Sequence, residues 1–523
     1  MYSSRENAHT AVDRRQASPR SFCTPALHRK NTSATGSEVL RLTSVRWLIW
    51  VAIATACAKS DPPVTQPVVA GPYTATFDAL ASQIERDHDF AAGYTRAVGH
   101  PWRDDVPHLR DEFARATTRE QALVALHHLQ VSLHDGHCAL DPPAGMKREM
   151  LALGLRLWTG GTATAPDVRV TSTVGVGEDV ATGDSVVAVD GVPLATWLAA
   201  RPFESFWLAP DRRLDETAQQ IAFASLPWTS VRDGDARVIT LRRGEHTHDV
   251  TLHFRSVEAI RAAVHAVDSP PCGANDYPGY ALTRTTEHVC VYQPLQQTRP
   301  RIPIVHYLSF LYMSRDTQPD HDLLVRELRG SDGVILDLHD NPGGIDPYLF
   351  LAWFSRGPLD HGLVISNVDQ KLSAETLRTM YNATEVEGYQ QAQREQRKTF
   401  ASYFACNTEP CTHVTTPAEL LVTHAPVAVV TGPDCMSSCD TFVLEWSRFH
   451  LGPIVGRQPA HIYTVHRLAI PVVGPHQEDL GTLRIALSHG ELEGTKIEGE
   501  PIRLDWTAPD VRDSRHVGRR SRD

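Results

Sequence analysis

V-A-V-V-T-G-P-D-C-M-S-S-C-D-T-F-V-L-E-W-S-R-F-H-L-G-P-I-V-G, residues 427–456, is the stretch whose reading decides the fold. The apolar run Val427 to Val430 reads as a buried strand and Thr431 to Asp434 as its turn. Thr441 to Phe449 then reads as a helix with its apolar face at Phe442, Val443 and Trp446, and Ile454 to Gly456 opens another strand. A strand, tight turn and helix lift a hydroxyl to the first helical turn, where unpaired backbone N–H groups and the helix dipole can hold an oxyanion. Ser437 is the candidate nucleophile. Two serines before a helix can equally be plain caps, so this assignment depends on partners elsewhere in the chain.

Working outward, regular α/β alternation begins at Ile302. Ile302 to Leu308 reads as a strand and Leu323 to Leu328 as a helix closed by Gly330. Val334 to Leu338 reads as an apolar strand ending in H-D-N-P-G-G, residues 339–344, and Tyr348 to Phe354 starts the next helix. Parallel strands joined by a helix place functional loops at their carboxyl ends, so Asn341 to Gly344 and Asp434 to Ser438 can face one crevice. Upstream, Thr118 and Gln121 form a capping-box pattern ahead of Leu123, Leu126, Leu129 and Leu133. That helix runs into L-H-D-G-H-C-A-L, residues 133–140. Gly136 is expected to stop it in a left-handed conformation, which leaves His137 on a well-anchored loop suited to a general base. Asp135 reads as a turn residue.

Between 150 and 255 the pattern changes to short alternating runs, with Asp190-Gly191 at a bend, as in a mostly β module. Residues 256–300 read as a connector. A long insertion at 370–412 reads either as a lid over the crevice or as a solvated elaboration. The expected organisation is therefore a leader at 1–57, a Pro-rich tether at 58–72, a helical segment at 73–149, the β module, the connector, an α/β core at 301–512 and a polar tail at 513–523.

A formal net charge of -11 argues against general affinity for nucleic acid. The 26 histidines are scattered without H-E-x-x-H or paired C-x-x-C spacing, so neither a metal nor a cofactor is expected. Arg41 and Arg46 precede a short apolar run, Trp47 to Ala56, that suits a signal peptide and is too short to span a bilayer. It ends A-T-A-C at Cys57, which resembles a lipoprotein cleavage box. The expectation is an exported protein of the cell envelope, facing the periplasm or the cell surface and held to the membrane by a lipid on Cys57. Export permits disulfides, and Cys272 with Cys290 and Cys406 with Cys411 are candidate pairs by proximity. Cys435 and Cys439 read as small buried residues beside the nucleophile.

V-I-L-D-L-H-D-N-P-G-G resembles the I-L-D-L-R-x-N-x-G-G strand and turn of the tail-specific, or C-terminal processing, serine peptidases. C-M-S-S-C-D followed by I-V-G resembles their S-A-S-A-S-E nucleophile segment followed by V-V-G. D-G-H-C at 135–138 resembles the D-G-H-T motif of the branch that includes the tricorn core protease and the interphotoreceptor retinoid-binding modules. G-D-x-V-x-A-V-D-G at 183–191 resembles the PDZ-like insert of the family. The resemblance implies a crotonase/ClpP-like α/β core with an N-terminal helical segment and a PDZ-like module. It also implies a serine peptidase acting on protein or peptide substrates, with Ser437 as nucleophile. The lysine-bearing F-G-K-G of the other branch is replaced here by G-R-Q-P-A-H-I-Y, so the resemblance implies His137 as base. His461 is a fallback base. The oxyanion would be held by backbone N–H groups of Ser438 and of Gly343 or Gly344. Support for the base is expected from Glu498 in K-I-E-G-E, with Asp505 as competitor. The alternative is a catalytically inactive ligand- or peptide-binding protein on the same scaffold.

Overall fold

The computed structural model describes residues 70–507 except 89–93, 202–209, 265–271, 274–275, 297–299, 311–316, 345–347, 404–419, 464–466, 493–494, scattered positions between 358 and 382, and residues 462 and 498. Cys57 and the leader, most of the tether, Cys406, Cys411, Glu498 and the polar tail lie outside the described residues.

The centre is a seven-stranded sheet. Val334–Asp337 and Val427–Thr431 lie side by side and parallel, with Ile304–Tyr307 and Ile454–Gly456 parallel outside them. These strands are short, apolar and covered, as parallel strands in an α/β layer must be. The helix Ser438–Arg448 buries Phe442, Val443 and Trp446 against them, and Phe310, Phe350 and Trp353 complete that core. The helix begins three residues earlier than its apolar period suggests. Its N-terminal turn, which carries Ser438 and Cys439, is fastened by its cap and not by a repeat of apolar residues.

The expectation of a connector at 256–300 is wrong. Val257–Val264 is helical, and Tyr280–Thr285 and Val289–Pro294 are antiparallel strands that extend the central sheet beyond Ile304–Tyr307. Part of the insertion is also sheet. Thr399–Tyr403 pairs with Leu363–Asn367, which pairs in turn with Ser488–Leu492, and the helix Ala383–Arg394 packs over a small core that includes Tyr389 and Phe400.

The mostly β module forms a sheet from Leu155–Thr162, Ala165–Thr173, Ser185–Val189, Ala236–Arg243 and His246–His253. It is tied to the central layer at two places. The Arg457 guanidinium donates to the Thr159 carbonyl at 2.9 Å, and Arg212 pairs with Asp434 in the turn after Val427–Thr431.

N-terminal helices Thr74–Asp87, Val106–Arg115 and Arg119–Ser132 share one core with the hairpin Arg467–Val473 and Asp479–Ala486. Ala139–Asp141 pairs antiparallel with the second strand of that hairpin, Ala139 opposite Arg484 and Asp141 opposite Thr482. A segment early in the chain is thus woven into one near its end. Among the described residues no helix is long and apolar enough to cross a membrane.

Candidate active site

His137 is held by the end of a helix and the start of a strand. The capping box is as read: Gln121 N–H donates to the Thr118 hydroxyl, and the Thr118 N–H donates to the Gln121 side chain at 3.3 Å. Arg119–Ser132 ends at Ser132, and the left-handed residue is His134, with φ 46°, not Gly136. Asp135 then closes a side-chain turn, its Oδ1 accepting the His137 N–H at 2.8 Å while its Oδ2 lies 3.5 Å from His88 Nε2. Cys138 Sγ lies 3.4 Å from the same His88 nitrogen. From this loop His137 directs Nε2 to 3.1 Å from Ser437 Oγ, across 300 positions of sequence. Burial pushes the imidazole pKa down to about 4. The nearby Arg467 acts in the same direction and Asp135 opposes both. The ring is therefore neutral near pH 7, the form able to accept a proton. Burial alone would raise the Asp135 carboxyl, but His88 and His137 more than offset it and hold it below the ordinary carboxylate range.

Ser437 sits at the N-cap of Ser438–Arg448 with φ 57° and ψ −117°. A non-glycine residue in that region costs about 1–3 kcal/mol, and such positions concentrate at reacting centres. Several contacts hold it there. Its N–H donates to Asp440 Oδ2 at 2.9 Å, and the other Asp440 oxygen accepts the His461 N–H at 2.8 Å. Met436 N–H donates to the Asn341 carbonyl at 3.2 Å, and the Ser438 hydroxyl donates to the Gly344 carbonyl at 3.0 Å. Cys435 and Cys439 are joined in a disulfide that spans the nucleophile turn, which corrects their reading as unpaired small residues. Cys272 and Cys290 are also paired, and Cys138 is buried beside His88.

The glycine turn packs directly against Ser437. A Cβ on Gly343, at φ +82°, would stand 2.3 Å from the Met436 carbonyl and 2.9 Å from both Ser437 Cβ and Ser438 N, so only glycine fits. Its N–H is committed, however, donating to Asn341 Oδ1 at 2.9 Å. Gly343 is therefore a spacer and not an oxyanion donor. The N–H groups of Gly344 and Ser438 have no hydrogen-bond acceptor among the described residues, and Ser438 N–H belongs to the first turn of the helix, where backbone donors are unmatched. These two remain as donors for an oxyanion. Asn341, buried, with its amide donating to the Tyr307 carbonyl at 2.9 Å, is the clamp that sequence reading missed.

The other candidates separate clearly. Asp505 accepts the Ile454 N–H through Oδ2 at 2.9 Å and is exposed at the sheet edge, so its carboxylate serves strand pairing. His461 has its Nε2 2.8 Å from Gln458 Oε1 and is anchored by its N–H to Asp440. It lies in the nucleophile's support and makes no hydrogen bond to Ser437 among the described residues. A cavity of about 310 Å³ adjoins the turn, lined in part by Arg156, Trp158, Asp215, His339, Asp434 and Arg457.

Residues 301–488 match the model of peptidase family S41. No curated protein sequence matches the chain. Among solved structures, mature CPAF complexed with lactacystin is similar with a TM-score of 0.65 at 12% identity, covering 84% of this chain and 95% of that one. Mature CPAF crystallised separately gives 0.63 at 11% identity, covering 84% and 93%. The photosystem II D1 C-terminal processing protease gives 0.40 at 13% identity, covering 84% and 94%. The segment that matches peptidase family S41, residues 301–488, is the one that carries the two parallel strands, the glycine turn and the helix that follows Ser437.

Proposed function

We propose that the chain is an active serine peptidase that cleaves peptide bonds through an acyl-enzyme, with Ser437 as nucleophile and His137 as its general base. The 3.1 Å approach of His137 Nε2 to Ser437 Oγ carries this reading. As Ser437 Oγ attacks a peptide carbonyl carbon, its proton passes to His137 Nε2 and the carbonyl oxygen becomes an oxyanion facing the N–H groups of Ser438 and Gly344. Collapse expels the amine, which takes the proton from His137. A water molecule then repeats the sequence on the ester and frees Ser437. Glu498 is proposed to orient the base. The resemblance of K-I-E-G-E to the family's I-E segment supports this choice.

The substrate proposed is an unfolded polypeptide or peptide. The export and Cys57 lipid anchor read from the leader are part of the same proposal. A palmitate analogue should be incorporated into the expressed wild type and not into Cys57→Ala, and equal incorporation in both would refute the anchor.

The catalytic reading is tested by following new α-amino groups released from an unfolded protein substrate. Wild type should release them, while Ser437→Ala and His137→Ala should not above background. Turnover that persists in Ser437→Ala would overturn the assignment.

A further inference from the structure

The described residues hold a second cluster of chemistry-bearing side chains on the neighbouring strand ends. His306 lies in the strand Ile304–Tyr307, opposite Asp337 in the parallel register, while His339 and Asp340 open the turn that leads to the glycines. His306, His339 and Asp340 each bring a ligand atom within 4.8 Å of the others. His306 Nε2 is 2.7 Å from Asp340 Oδ1, and His339 Nε2 is 3.7 Å from Asp340 Oδ2. Tetrahedral coordination with metal–nitrogen and metal–oxygen bonds of ~2.0–2.1 Å requires ligand atoms about 3.3 Å apart. The two observed separations, one to each Asp340 oxygen, lie within about 0.6 Å of that value.

The surroundings match what a metal-binding imidazole needs. His339 Nδ1 lies 2.8 Å from Asp337 Oδ1, and Asp337 Oδ2 accepts the Tyr277 hydroxyl at 2.5 Å. A carboxylate that fixes the far nitrogen of a histidine sets its tautomer and presents the other nitrogen as a ligand; here that other nitrogen faces Asp340. The His306 ring is buried and stacks on His339 at 5.6 Å. His339 also lines the cavity beside the nucleophile turn, which gives an ion a way in.

We propose that His306, His339 and Asp340 form a binding site for a transition-metal dication of the zinc class, with the fourth position open to the cavity. Imidazole and carboxylate donors in a tetrahedral set suit Zn²⁺ or Co²⁺ and not the oxygen-only cages of Ca²⁺ or Mg²⁺. The ligands come from two strand ends, so no short spacing motif announces them.

The test uses the purified, untagged full chain, titrated with Co²⁺ for the visible bands of a tetrahedral site and with Zn²⁺ against a chromophoric chelator. One ion per chain should bind. His339→Gln and Asp340→Asn, each confirmed as folded by circular dichroism, should abolish the bands. Asp337→Asn, which touches only the outer support, should weaken Zn²⁺ binding about 10–100-fold. Absence of stoichiometric binding to wild type would overturn the proposal. So would a stoichiometric site indifferent to both His339→Gln and Asp340→Asn, which would place the ion on other histidines.

Discussion

In the proposed mechanism it is burial that suits His137 to act as the base. A neutral imidazole with its pKa lowered to about 4 remains a base at pH values where an ordinary histidine would already be protonated. The sign follows directly: activity is lost as pH falls through the lowered value, not through 6.5. The acid limb of kcat/KM should accordingly lie near pH 4. A limb at pH 6.5 would mean that the ring is solvated in the working enzyme. The positive charge of Arg467 helps keep the imidazole neutral, so Arg467→Gln should move that limb upward. Removing the base in His137→Ala should lower kcat by about 10²–10⁴-fold, and Glu498→Gln should lower it comparably, whereas Asp505→Asn should act on stability and leave kcat unchanged. At this scale the sequence was legible wherever local chemistry sufficed. Ser437 follows from a strand, turn and helix, and His137 from a capped helix that runs into a loop. Asn341 was illegible because its role depends on Tyr307 and Gly343, one of them far away in the chain. Asp440 was legible as the acidic residue that ends C-M-S-S-C-D and opens the helix, but not as the group whose two oxygens join Ser437 to His461.

The nucleophile helix and its turn act as one element, held by the Cys435–Cys439 disulfide, by Asp440 and by the glycine turn. A disulfide closing so short a loop stabilises the folded chain by only about 2 kcal/mol in the chain-entropy account; its larger effect is on the position of Ser437. Misplacement of a reacting group by about 1 Å can cost roughly 10²-fold. Reduction should therefore lower kcat by ten- to a hundredfold while the thermal midpoint moves by only a few degrees, measured on the same sample. A rate unchanged by reductant would show that the disulfide does not position the turn. Gly343→Ala should abolish activity in a folded protein, because its methyl group would displace Met436 and Ser437 together. The strands Tyr280–Thr285 and Val289–Pro294 escaped sequence reading for an element-scale reason. Tyr280–Thr285 is an edge strand of mixed polarity, and the apolar run of its neighbour is only the four residues Val289 to Tyr292, set among Pro and Cys.

For the whole molecule, the active site exists only because distant parts of the chain are packed into one core. Leu483 is fully buried between the N-terminal helices and the C-terminal hairpin, and its neighbour Arg484 pairs with Asp141 just beyond the His137 loop. Leu483→Ala should cost about 2–5 kcal/mol, and heat should remove activity and the helical signal together if the His137 loop depends on that core. This architecture was only partly legible. Periodicity gives the elements, but nothing local says that a strand at 139–141 pairs with one at 479–486. The central claim is that an imidazole and a hydroxyl 300 positions apart form one reacting pair. Its most direct test is mass analysis of the folded protein after exposure to a fluorophosphonate. The account predicts a single adduct on Ser437, absent in Ser437→Ala and formed far more slowly in His137→Ala. A folded wild type that takes no label, or one labelled equally well without the His137 imidazole, would contradict it.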